Sequence, residues 1–134
     1  MKPVIHIDGS TFETLEGFFE CFSNAALDGS RRGRNLDAFN DVLRGGFGTP
    51  DGGFVMVWVN HETSRQRLGY AETRRQLSLR RERCHPANIP LVDEDIERAN
   101  RNQGATVYDW LLGIISVHGP GGSEAEDGVD LELR

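Results

Sequence analysis

The chain has 134 residues, 37% hydrophobic and 27% charged, and a formal net charge of −6. Its length and ordinary globular composition give one domain with one hydrophobic core, and its acidic balance argues against general nucleic-acid binding and suits a basic partner. No apolar run approaches the ~20 residues that a bilayer crossing needs, and the start Met1-Lys2-Pro3-Val4 is no secretory signal, so the expected compartment is the cytoplasm.

Val4-Ile5-His6-Ile7 is a β-branched run stopped by Asp8-Gly9, which predicts a first strand. Phe12, Leu15, Phe18, Phe19, Phe22 and Ala26 recur at helical spacing and predict an amphipathic helix from Thr14, its N-cap, to Leu27. A loop over 28–33 leads to a short helix held between Gly33 and Gly45. The glycine-rich stretch 45–53 lacks the GxxxxGK[ST] pattern and precedes a strand, so it is no phosphate loop. Phe54-Val55-Met56-Val57-Trp58-Val59 is apolar without alternation, the pattern of a central parallel strand covered on both faces. A short helical piece is expected over Ser64–Leu68 and a surface helix over Ala71–Arg83. Pro86 and Pro90 are read as bracketing a turn, and Asp93 as capping a helix that runs to Asn102. Val107, Leu111, Ile114, Ile115 and His118 predict a last helix that docks on the sheet, and Val129–Leu133 alternates as an edge strand. The order predicts an α/β fold, a three-stranded parallel sheet packed with helices.

The helix between Gly33 and Gly45 organises the functional reading. Leu36, Phe39 and Leu43 form its apolar stripe, with Val42 at the edge, while Asp37 and Asp41 stack one turn apart on the opposite, exposed face. Asp37 suits the positive end of the helix dipole, whereas a like charge four residues on costs a few tenths of a kcal/mol. On spacing alone the pair reads as a solvated face, with Asp41 paired to Arg44 or Asp37 to Arg34.

Other constellations carry less. His6, His61, His85, His118, Cys21 and Cys84 have no metal-ligand spacing, no nucleophile motif is present, and neither metal, cofactor nor enzymatic activity is expected. Cys21 reads as a small buried hydrophobe and no disulfide is expected. Arg65, Arg67, Arg74, Arg75, Arg80, Arg81 and Arg83 make the middle basic, whereas the stretch from Glu124 to Glu132 is acidic. Without interleaved aromatics other than Tyr70, the arginines read as a solvated face rather than an RNA site. Trp58, Tyr108 and Trp110 are read as core.

The segment Gly33-x-Asn35-Leu36-Asp37-Ala38-Phe39-x-Asp41-x-Leu43-x-Gly45 resembles the barstar family, the small intracellular inhibitors of barnase-type secreted ribonucleases. Val4-Ile5 with Ile7-Asp8-Gly9, the following aromatic helix, the strand holding Trp58 and the stretch from Gly104 to the final strand extend the likeness. The resemblance implies a small two-layer fold whose loop and helix, here residues 31–45, plug a ribonuclease active site. It places Asp37 and Asp41 where carboxylates stand in for RNA phosphates, and Gly45 at the edge of that surface. Family members carry a tyrosine ahead of the glycine and a tryptophan between the aspartates. Arg31 or Arg32 and Asn40 take those places here, and Arg34 replaces an acid. These residues become the implied specificity contacts, and the implied partner is a basic, extracellular-type ribonuclease or toxin of complementary mixed charge. Residues 69–103 read as a helical insertion. The alternative is a barstar-fold protein without inhibitory role, whose arginine-rich insertion contacts RNA or a regulator.

Overall fold

The computed structural model describes residues 2–29, 33–46 and 48–134. Three strands, β1 (Val4–Asp8), β2 (Phe54–Val59) and β3 (Val129–Leu133), form one sheet in the order β1-β2-β3 with both pairings parallel. Ile7 lies opposite Trp58, and Trp58 opposite Leu133. Parallel neighbours need crossover connections, and here every crossover is helical. The first holds α1 (Leu15–Ala26) and α2 (Leu36–Leu43). The second holds α3 (His61–Arg67), α4 (Tyr70–Arg83), α5 (Ile89–Asn100) and α6 (Val107–Val117).

The core lies on one face of the sheet. Ile5, Ile7, Phe54, Met56 and Trp58 point into it and meet Phe18 and Phe22 of α1, Phe39 and Leu43 of α2, and Leu111 and Ile115 of α6. Phe18 touches Phe12, Phe39 and Trp58 through ring centroids 5.7, 5.4 and 5.2 Å apart. Offset and edge-on ring pairs of this kind add to what area burial supplies. Trp58 closes the far side against Tyr108 of α6 and donates its indole N–H to Ser64 Oγ at 3.0 Å.

Four expectations need correction. The unbroken apolar run of β2 predicts cover on both faces, but the sheet is covered on one. Val55 and Val59 on the reverse face are half-buried, Val4 is exposed, and Val57 is sheltered without joining the main core. A central strand is shielded there by the side chains of its two neighbours, so it tolerates valine without a second helical layer. Cys21 is half-buried rather than buried; it and Cys84 are free thiols. The third helix starts at His61, three residues before Ser64, and Asn60 at its N-cap adopts φ 55°. The fifth starts at Ile89 rather than Asp93 because Pro90 sits in its first turn, where a fixed φ suits a helix and the missing N–H has no intrahelical role. Asp93 is therefore not a cap; it pairs with Arg81 at 2.6 Å and ties α5 to α4.

Candidate functional site

Local sequence fixes α2 firmly. Asn35 is its N-cap, with Oδ1 accepting the Ala38 N–H at 2.8 Å. Gly33 ahead of the cap has φ 74°, and a Cβ there would lie 3.2 Å from Val42 Cγ2. Gly45 behind the helix has φ 97° and open space around it. Left-handed backbone at both ends suits glycine and sets where the helix begins and stops. Phe39, Val42 and Leu43 are buried and Leu36 is half-buried, so the helix cannot roll.

The opposite face carries the charges. Asp37 and Asp41 are both exposed. Asp37 has no ion pair among the described residues and borders a groove between α1, α2 and α4 that Arg34, Leu79, Arg80 and Arg83 also line. Asp41 is paired: its Oδ1 accepts from Arg44 Nη1 at 3.0 Å. Arg44 also reaches Glu124, through Nε to Oε2 at 3.2 Å and Nη2 to Oε1 at 3.1 Å. The Glu124 hydrogen bond and charge hold the Arg44 guanidinium above its ordinary pKa, with Asp41 a smaller contributor.

Asn40, between the aspartates, is turned toward the protein. Its Oδ1 lies 2.6 Å from Nε2 of His118, a fully buried imidazole at the end of α6. The other ring nitrogen, Nδ1, lies 2.7 Å from Asp127 Oδ2 and 3.4 Å from Glu124. A carboxylate only accepts, so Nδ1–H donates to Asp127, and the other ring nitrogen shares a hydrogen bond with the Asn40 side-chain amide. The segment 120–128, absent from the sequence-derived site, is thereby clamped against α2. The ligand atoms of His118, Glu124 and Asp127 lie within 4.8 Å of one another, a spacing a metal ion could bridge. Each is already engaged, however, and the Arg44 guanidinium occupies the cation's place beside Glu124.

The sequence-derived site residues thus fall into three groups. Asp37 and Asp41 lie exposed on α2, with Arg34 just before the helix and Gly45 just after it. Asn40 sits among them with its amide oxygen committed inward. Arg31 and Arg32 lie outside the described residues. The signal missed was the acidic run after Gly119-Pro120, which counted only toward the charge of the stretch from Glu124 to Glu132 and instead brings Glu124 and Asp127 beside α2. The basic middle is largely consumed internally. Arg67 donates to the Ser10 and Phe12 carbonyls, Arg74 to Ala99, Arg75 to Glu16 and Glu72, Arg81 to Asp93, and Arg80 lies over the Trp110 ring at 5.3 Å.

The family model described as Barstar (barnase inhibitor) matches residues 2–88, from the start of the sheet through α1, α2, β2, α3 and α4. The chain belongs to the barstar family. No curated protein matches the chain. The barstar match contains all of α2 and its flanking glycines. It stops before α6 and β3, which supply His118, Glu124 and Asp127 from outside it. Among the described residues no helix is long and apolar enough to cross a membrane.

Proposed function

We propose that this barstar-family chain is an inhibitor, an immunity protein that binds and blocks the active site of a cognate ribonuclease or related toxin, with α2 as the docking element. The observation that carries this reading is the pair of exposed carboxylates, Asp37 and Asp41, on a helix whose other face is locked in the core. Preorganised carboxylates accept charge-assisted hydrogen bonds from the arginines, lysine or protonated histidine of a phosphate-binding site, with little ordering left to do on binding. Arg34, Gly45, Arg31 and Arg32 flank the pair as specificity contacts, and a cytoplasmic location fits a protein that protects its own cell. The internal commitments of the arginines favour this reading over an RNA-contacting surface, which needs free cations aimed at phosphates. The partner is a secreted-type enzyme with a cationic centre and some acidic rim to meet Arg34.

The test is a titration of the full chain against purified barnase-type ribonucleases, read both as binding heat and as loss of RNA cleavage. Asp41→Ala is expected to weaken binding by about 2 kcal/mol or more, since desolvated interfacial charges are typical hot spots (barnase and barstar are themselves the worked case for such values). Unchanged affinity with an unchanged unfolding midpoint sinks the reading, as does failure of every ribonuclease to bind.

A further inference from the structure

We propose that Arg44 is an internal stand-in for the partner's cation at Asp41, and that Glu124 sets how readily Arg44 releases that carboxylate. This rests on the docking reading above and deepens it into a rule about which partners succeed.

The geometry at Arg44 is unequal. Toward Glu124 it presents a fork, with Nε and Nη2 meeting the two carboxylate oxygens at 3.2 and 3.1 Å. Toward Asp41 it offers Nη1 alone, at 3.0 Å. Paired bonds from one guanidinium to one carboxylate are the stronger arrangement and the more directional. The Glu124 side chain is 31% exposed and that of Asp41 is 56% exposed, so water and salt weaken the Asp41 contact more. Glu124 is also held ready. Its backbone N–H donates to the Val117 carbonyl at 2.9 Å, and its carboxylate lies 3.4 Å from His118 Nδ1. Asp127 is drawn to the same imidazole at 2.7 Å and adds negative charge near Arg44.

An incoming cation can take Asp41 by displacing one exposed hydrogen bond while the Arg44–Glu124 fork stays intact. Without the free protein's Arg44, Asp41 would stand as a bare carboxylate open to any basic surface. With it, a partner must outcompete a tethered guanidinium, which a two-pronged arginine does and a loosely held lysine does poorly. Arg44 and Glu124 are in this sense specificity-determining, although neither is required to touch the partner. The acidic segment also gains a role that net charge alone does not suggest.

The experiment measures dissociation constants at low salt with purified barnase-type ribonucleases as the probe. Arg44→Ala is expected to tighten binding by about threefold and Glu124→Gln to weaken it by a similar factor, the scale of an exposed ion pair. The Glu124→Gln effect should vanish in the Arg44→Ala background, and the Arg44→Ala effect in the Asp41→Ala background. Arg101→Ala, at the residue just after α5, changes net charge equally and should leave affinity unchanged. Weaker binding by Arg44→Ala overturns the proposal, because Arg44 would then be a direct contact. An undiminished Glu124→Gln effect without Arg44 overturns it likewise. In the free protein, the Arg44 Nε–H NMR signal should exchange slowly with solvent, lose that protection in Glu124→Gln and keep it in Asp41→Asn; the reverse pattern also overturns it. If Asp41→Ala leaves affinity unchanged, the docking reading itself falls and this proposal with it.

Discussion

His118 joins two segments that the chain keeps far apart. Its ring is fully buried, with Asn40 on one nitrogen and Asp127 on the other. Replacing it with leucine fills similar space but leaves the half-buried Asn40 amide and the largely buried Asp127 carboxylate without their ring partner. The expected loss is about 3 kcal/mol, read as a lower urea midpoint at unchanged slope, whereas Asn40→Ala should lose about 1 kcal/mol. The two changes should be less than additive when combined, because each removes the same bond. Equal and additive losses would show that His118 acts by volume alone. Helical spacing does place His118 on the inner row of α6, so its burial was legible in the sequence. Its partners were not, since Asn40 lies 78 positions away and nothing local couples the two. The Asp41–Arg44 pair was legible, because contacts three residues apart on one helix follow from geometry.

Among the elements, α4 is long but carries few apolar residues, and its docking is largely polar. The inward row is Glu72, Thr73, Gln76 and Leu77, a helical face with one aliphatic residue in it. Glu72 Oε2 accepts the Leu15 N–H at 2.8 Å, an amide at the start of α1 with no helical partner of its own. Thr73 Oγ1 accepts the Val107 N–H at 2.9 Å at the start of α6. One helix thus satisfies an N-terminal amide of each of two others, and a search for apolar periodicity sees only Leu77 and Leu79. Burial alone would raise the Glu72 pKa, but hydrogen bonds from Arg75, Gln76 and Leu15 outweigh it and hold the group below its ordinary value near 4.5. The folded pKa is the lower one, so this contribution is complete above about pH 4.5 and is lost as pH falls through the folded value. Unfolding free energy measured across pH 3 to 6 should therefore rise more steeply in the wild type than in Glu72→Gln, which cannot titrate. Parallel profiles would remove Glu72 from the account. Glu72→Ala, which strands the Leu15 amide and leaves Arg75 with Glu16 alone, should lose about 2 kcal/mol at neutral pH.

For the molecule as a whole, the recognisable family segment and the folding unit differ. The sequence made the strand order and the central place of β2 legible, because three strand-like runs separated by helices leave few parallel arrangements. It misjudged how deep the sheet lies, since an apolar strand looks alike under one layer or two. The barstar match ends at residue 88, yet Val107, Leu111, Ile115 and Val129 beyond it are all essentially fully buried in the core around Trp58. At about 1.5–3 kcal/mol for each buried aliphatic side chain, their loss rivals the ~5–15 kcal/mol by which a whole domain is stable. Removing residues 89–134 also strips β2 of β3, leaving a bare apolar strand edge, and removes His118 and Glu124 from α2. A fragment of residues 1–88 should therefore show no cooperative urea transition, weak near-ultraviolet circular dichroism and strong binding of a hydrophobic dye, whereas the full chain unfolds in one sigmoidal step. The fragment should also fail to bind any ribonuclease that the full chain binds, although it contains both docking aspartates, because a helix without its supporting face is no longer preorganised. A fragment that unfolds cooperatively at the full chain's midpoint would place the folding unit within the family match and make α6, β3 and the acidic segment an appendage.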